Sequence, residues 1–234
     1  MTTFLLVPGA WLGGWWWRDV TPHLRASGHR VVAATLTGLG ERAHLLRSDI
    51  GLATHVADVV GLLHHRDLSD VTLVGHSYGG TVITAVAEQA PERLRRLVYL
   101  DAAVPRDGES NDDVVGSGLA GELRSAAAAE GKGWRVPPDA SLADELVEPI
   151  RSWAVARLTP HPLQSFAEPV RLGSRAAAEL PRAFLRSSPR SALYTSLLQR
   201  ARADGWVCRE LEGGHYPMFT EPRLVAAALA GLDA

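Results

Sequence analysis

The chain has 234 residues, 46% of them hydrophobic and 21% charged, with a formal net charge of −2. This is the composition of a soluble globular protein with one sizeable core, and it excludes a disordered chain or one built to grip nucleic acid or an acidic membrane surface. A single cysteine, Cys208, excludes an intramolecular disulfide and a thiolate metal cluster.

The first predicted element is a short apolar strand from Thr3 to Val7. A glycine-rich loop, Pro8-Gly9-Ala10-Trp11-Leu12-Gly13-Gly14, follows it. The terminal stretch carries no positive segment and too short an apolar run for a secretory leader, so the cytoplasm is the expected location. Trp15-Trp16-Trp17 opens a helix expected to reach Ala26. The tryptophan cluster is read first as core packing, with Trp11 or one of the three as the candidate to line an apolar acyl pocket. Arg30 to Ala34 is the second strand. From Leu52 to His65, Val56, Val59, Val60 and Leu63 recur at helical spacing. His55, His64 and His65 share that helix without acidic or cysteine partners at ligand spacing, and are expected at the surface rather than on a metal.

Val71-Thr72-Leu73-Val74 reads as a buried strand and Thr81 to Gln89 as a helix. Between them lies Gly75-His76-Ser77-Tyr78-Gly79-Gly80. Gly-x-Ser-x-Gly between a strand and a helix is a sharp turn that presents the serine hydroxyl at a helix N-terminus. Gly75 and Gly79 are expected to be glycine because a Cβ would collide with the neighbouring strand or helix. Ser77 is therefore the candidate nucleophile. The backbone N–H groups of Tyr78 and Ala10 are the expected oxyanion donors.

Leu94 to Leu100 forms the next strand and ends at Asp101. From Val104 to about Leu180 the alternation of strands and helices breaks down. Short helices are expected at 120–129, 142–158 and 174–180, with no clear strands, and Gly116-Ser117-Gly118 as a possible loop. Residues 105–180 are read as a cap inserted into a core made of residues 1–104 and 181–234. Ala183 to Leu185 resumes the sheet, Ser191 to Arg202 is a helix, Trp206 to Leu211 is the last strand, and Glu221 to Leu232 closes the chain with a helix.

A serine hydroxyl needs a base to take its proton, usually an imidazole. His215 sits in Gly213-Gly214-His215-Tyr216-Pro217, directly after the last strand, where it can reach the turn of Ser77. His76 is read as structural. The acid behind His215 is less legible, because the late strand Ala183-Phe184-Leu185-Arg186-Ser187-Ser188 carries no carboxylate. Asp101 is the preferred acid. Asp204, Glu210 and Glu212 are weaker candidates, and an unassisted Ser-His dyad stays open.

Val7-Pro8-Gly9-Ala10-Trp11, Leu36-Thr37-Gly38-Leu39-Gly40-Glu41-Arg42, Gly75-His76-Ser77-Tyr78-Gly79-Gly80 and Gly213-Gly214-His215 together resemble the α/β-hydrolase superfamily. Within it, the likeness is to the small methylesterase and hydroxynitrile-lyase branch and its bacterial esterase relatives, thinning through the cap. The resemblance implies an α/β-hydrolase fold, a mostly parallel central sheet flanked by helices with a mainly helical cap. It also implies hydrolysis of an ester, thioester or lactone of a small apolar molecule through an acyl-Ser77 intermediate, a reaction that needs no cofactor. The expected partner is the small-molecule ester or lactone substrate, with no nucleic acid, no membrane and no metal. Asp101 falls at the early-strand acid position used by related haloalkane dehalogenases. Pro8 replaces a common loop histidine, and the late-strand aspartate of the plant members is missing. Tyr216 stands where the lyases carry lysine, which argues against cyanohydrin cleavage. Ser77 in place of an aspartate argues against dehalogenation. Trp11, Trp15 and Tyr216 are the candidate pocket residues. An acyl cyclase on the same three residues, a cofactor-free oxygenase and a non-catalytic receptor are the competing readings.

Overall fold

The computed structural model describes residues 1–138, 143–189 and 191–232. In chain order its elements are β1 (Thr3–Val7), α1 (Thr21–Ala26), β2 (Arg30–Ala33), α2 (Leu52–His65), β3 (Val71–Ser77), α3 (Gly79–Gln89) and β4 (Leu94–Ala102). Then come α4 (Asn111–Val115), α5 (Ser117–Glu130), β5 (Arg135–Val136), α6 (Ile150–Val155), β6 (His161–Pro162), α7 (Gln164–Ala167) and α8 (Arg175–Glu179). The chain closes with β7 (Arg182–Arg186), α9 (Ala192–Ala203), β8 (Val207–Glu210), α10 (Pro217–Thr220) and α11 (Pro222–Ala230).

Six strands form one sheet in the order β2-β1-β3-β4-β7-β8, every neighbouring pair parallel. Because side chains alternate along a strand, each strand feeds two separate cores. Leu5, Leu73, Leu97 and Phe184 meet Val56 and Val59 of α2, Ile83 of α3 and Leu198 of α9 on one face. Phe4, Leu6, Val74, Val98 and Leu185 meet Leu24 of α1 and Val225 and Leu229 of α11 on the other. Burial on both faces explains why these strands read as continuous apolar runs. It also leaves the carboxyl ends of the central strands β3 and β4 as the place where side chains can face a ligand.

The turn from β3 to α3 is locked by its glycines. A Cβ on Gly75 would lie 2.5 Å from the Gly79 carbonyl oxygen, and one on Gly79 would lie 2.7 Å from the Pro8 carbonyl oxygen. Both obstacles are backbone and cannot rotate away. Helix propensity alone would make Gly79→Ala stabilising by about 1 kcal/mol. The clash reverses the sign, so Gly79→Ala is expected to destabilise the protein by about 1–3 kcal/mol, read as a lower midpoint in urea unfolding.

Four expectations are corrected. The tryptophan helix is two pieces, a 3-10 turn at Gly14–Trp17 and α1. Pro22 sits in the first turn of α1, where its missing N–H leaves no bond unmade, so the α-helix begins there and not at Trp15. The cap region does contain strands: β5 and β6 pair antiparallel, Val136 opposite His161. Two-residue strands carry no periodicity from which to read them. Gly116 is not part of a loop but the residue joining α4 and α5, with φ of +87°. Of the helix expected over 142–158, α6 alone forms among the described residues, and residue 142 lies outside them. Among the described residues, 105–180 add no strand to the main sheet. Among the described residues no helix is long and apolar enough to cross a membrane.

Candidate active site

Ser77 ends β3 with φ of +54°, a left-handed conformation that non-glycine residues rarely hold. Such strain costs on the order of 1–3 kcal/mol and persists only where packing over-determines it. The packing is visible: a Cβ on Gly9 would come within 3.0 Å of Ser77 Cβ, so the first loop presses directly on the serine.

Asp101 reaches the site through a register shift. His76 pairs with Leu100 but Ser77 pairs with Ala102, which leaves Asp101 as an extra residue in β4 opposite the His76-Ser77 step. A bulge of this kind re-aims a side chain at a strand end. Asp101 has φ of +41° and is fully buried. Its carboxylate is held by the residue just past β7: the Ser187 N–H donates to Oδ1 at 2.8 Å and the Ser187 hydroxyl donates to Oδ2 at 3.2 Å.

His215 lies in the loop between β8 and α10, with Nδ1 3.5 Å from Asp101 Oδ2. That is an approach rather than a closed hydrogen bond, and Nδ1 has no closer partner among the described residues. Catalytic hydrogen bonds are often this long before substrate arrives. The loop is pinned by His76, whose Nε2–H donates to the His215 carbonyl oxygen at 2.9 Å. His76 is fully buried. Burial first, and then the nearby His215 ring, hold its imidazole well below the ordinary histidine range, so it remains neutral.

Tyr194 of α9 was not anticipated. Its ring stacks on His215 with centroids 5.1 Å apart and planes 15° apart, and its hydroxyl lies 3.5 Å from His215 Nε2. Burial and the Asp101 carboxylate push its phenol above the usual tyrosine value, while the Ser77 hydroxyl acts in the opposite direction. Nothing in the pattern of residues 191–202 distinguishes this tyrosine from a helix-surface residue.

The two expected oxyanion donors flank Ser77. Neither the Ala10 nor the Tyr78 N–H donates to a backbone or side-chain acceptor among the described residues. Their positions are fixed by a buried histidine network that reading the sequence missed. Trp11, with φ of +64°, gives its backbone N–H to His161 Nδ1 at 3.3 Å and its indole N–H to the Val136 carbonyl at 3.2 Å. His161 Nε2–H in turn donates to Ser165 Oγ at 2.8 Å. On the other side, the Tyr78 hydroxyl donates to His55 Nδ1 at 2.9 Å, and His55 Nε2–H donates to the Thr37 carbonyl at 3.1 Å.

His55 is therefore buried, not on the surface as expected; its polar partners lie in distant segments that α2 alone cannot reveal. Burial lowers its pKa to about 4, and holds His161 well below the ordinary range. The unfolded chain binds protons at these sites near pH 6.5, whereas the folded chain does not until much lower pH. Their contribution is thus present in full above about pH 6.5 and lost as pH falls toward 4. For His55 alone the loss is on the order of 3 kcal/mol. Urea midpoints measured from pH 7.5 down to pH 4.5 are expected to fall steadily, and less steeply in His55→Gln.

Ser77, His215, Tyr194, Trp11, Phe166 and Tyr216 line one cavity of about 260 Å³. Helices α4 and α5 also contribute, through Asn111, Val115, Leu119 and Leu123. Trp11 and Tyr216 both line this cavity. Trp15 does not: it packs edge-on against Trp16 and Trp153, each with ring centroids 5.2 Å away, and is turned from the cavity by the 3-10 turn that carries it. Of the weaker acid candidates, Glu210 pairs with Arg186 and Arg202, Asp204 borders a separate cleft with Arg182 and Arg200, and Glu212 is exposed. Among the described residues no group of three or more His, Cys, Asp or Glu side chains could hold a metal ion.

A parallel sheet with a strained serine at the end of a central strand, and a histidine in the loop after the last strand, defines an enzyme of the hydrolase kind. The chain belongs to the alpha/beta hydrolase family, whose model matches residues 4–228, and within it to the small methylesterase-like branch. It is 37% identical over 243 residues to a carbendazim hydrolyzing esterase of Nocardioides sp. (strain SG-4G), covering 99% of this chain and 100% of the relative. It is 26% identical to methylesterase 8 of Arabidopsis thaliana, over 98% of this chain and 88% of that one. An extracellular alpha/beta-hydrolase from a Paenibacillus species superposes with a TM-score of 0.86 at 24% identity, covering 98% of both chains.

Proposed function

We propose that the protein is a serine esterase that cleaves a carboxylic ester of a small, largely apolar molecule through an acyl-Ser77 intermediate. The observation that carries this reading is the convergence of Ser77, His215 and the buried Asp101 at one end of the cavity, with Asp101 Oδ2 3.5 Å from His215 Nδ1. In the proposed reaction, Ser77 Oγ attacks the ester carbonyl as its proton passes to His215 Nε2. Asp101 holds the imidazole tautomer and balances the imidazolium. The oxyanion is received by the N–H groups of Ala10 and Tyr78. His215 then protonates the departing alkoxide, and a water that it deprotonates releases the acid.

Residues 105–180 act as a cap in this reading, since α4 and α5 supply apolar cavity lining. Trp11 and Tyr216 bound the space for the substrate. The name of the Nocardioides relative supports a small aromatic ester or carbamate as the substrate class. The test is turnover of a panel of methyl esters of aromatic acids, with carbendazim included, followed by release of methanol. Hydrolysis with saturation kinetics is the expected result. Saturable binding of the panel with no methanol release would replace the esterase by a receptor.

Tyr194 has a supporting role here as a positioning residue, its ring supporting the imidazole face. Tyr194→Phe keeps the stack and is expected to retain most activity. Tyr194→Ala is expected to lose about 10- to 100-fold in kcat with KM little changed, because imidazole orientation matters most in the transition state.

A further inference from the structure

Asn111, the first residue of α4, is only 4% exposed, yet its side chain borders the cavity. One end of its amide is committed. Thr81 Oγ1 donates to Asn111 Oδ1 at 3.2 Å, and Thr81 is a fully buried residue of α3, four positions beyond Ser77. The amide is planar, so fixing Oδ1 against α3 fixes the direction in which the two Nδ2 hydrogens point. Nδ2 meets no acceptor among the described residues, and it is not one of the buried polar atoms sealed from solvent there. The remaining lining contributed by the cap is apolar: Val115, Leu119, Leu123 and Phe166. A donor held in one orientation within an apolar wall rewards a ligand that brings an acceptor and penalises one that does not.

We propose that Asn111 is a specificity-determining residue whose Nδ2–H reads a hydrogen-bond acceptor, a ring nitrogen or a carbonyl oxygen, on the part of the ester seated under the cap. The substrate class is then an ester with a flat apolar group that carries such an acceptor. This deepens the esterase reading and rests on it.

The test uses matched p-nitrophenyl esters: benzoate against picolinate, nicotinate and isonicotinate, each rate divided by its hydroxide-catalysed rate. Benzyl acetate against the three pyridylmethyl acetates repeats the comparison on the alcohol side. For wild type the expected result is a kcat/KM about 10- to 100-fold higher for at least one nitrogen-bearing member of a series. Asn111→Leu should erase that preference, bringing the ratio of the nitrogen-bearing ester to its carbocyclic counterpart within about twofold of one, while its urea midpoint certifies folding. Asn111→Asp keeps an acceptor for Thr81 and replaces the donor with a carboxylate, so it should disfavour the same nitrogen-bearing ester. A uniform loss across all esters in both variants, or no change in either, overturns the proposal. If wild type hydrolyses none of the esters, the esterase reading itself fails and takes this inference with it.

Discussion

Ser77→Ala is expected to lower turnover of any ester substrate by about a thousand- to a million-fold and to abolish labelling by a fluorophosphonate. The size follows from the mechanism. Without the hydroxyl there is no acyl intermediate, and what remains is binding next to two backbone donors. The variant is also informative about strain. Alanine at φ of +54° is no easier to hold than serine, so the fold should tolerate the change with little shift in urea midpoint. Substrate affinity should survive, because the cavity walls are untouched. A fall in kcat with KM nearly constant is therefore the expected signature.

The second large effect is expected from Asp101→Asn, a loss of about 100- to 10,000-fold in kcat. Asparagine fits the same space and can still accept from the Ser187 N–H that Asp101 Oδ1 now binds at 2.8 Å. It cannot balance an imidazolium, and its amide N–H favours the wrong imidazole tautomer. The second bond, from the Ser187 hydroxyl at 3.2 Å, has to reverse or break, which should cost about 0.5–1.5 kcal/mol of stability. Steady-state kinetics with urea unfolding separates the two losses. Full activity in Asp101→Asn would remove Asp101 from the mechanism and leave a Ser-His dyad.

How far the sequence reveals this arrangement depends on how local each signal is. The strand before Ser77, the helix after it and the glycine pattern between them are written within about twenty consecutive residues, and the structure reproduces them as β3, the tight turn and α3, although the obstacle that keeps Gly79 a glycine is the distant Pro8 carbonyl. The strand that ends near Asp101 was legible for the same reason. The bulge that aims Asp101 was not, because it is a property of the pairing between β3 and β4. Tyr194, Asn111, His55 and His161 were missed as site-building residues. Each acts through a partner that is distant in the chain: 21 residues for Tyr194 and His215, 30 for Asn111 and Thr81, 150 for Trp11 and His161. The tryptophan run divides: Trp16 and Trp17 are core, as the first reading of the cluster has it, whereas Trp15, a pocket candidate, packs on Trp153. A 3-10 turn distributes its side chains around the axis, and no residue count reveals which one faces the ligand.

The most direct test of the account is rapid-quench intact mass spectrometry during turnover of a p-nitrophenyl ester, with the adduct mapped to a peptide. The account predicts one acyl group, on Ser77, formed and discharged at rates that match turnover and absent from Ser77→Ala. Turnover without any adduct, or an adduct on another residue with activity retained in Ser77→Ala, would contradict it.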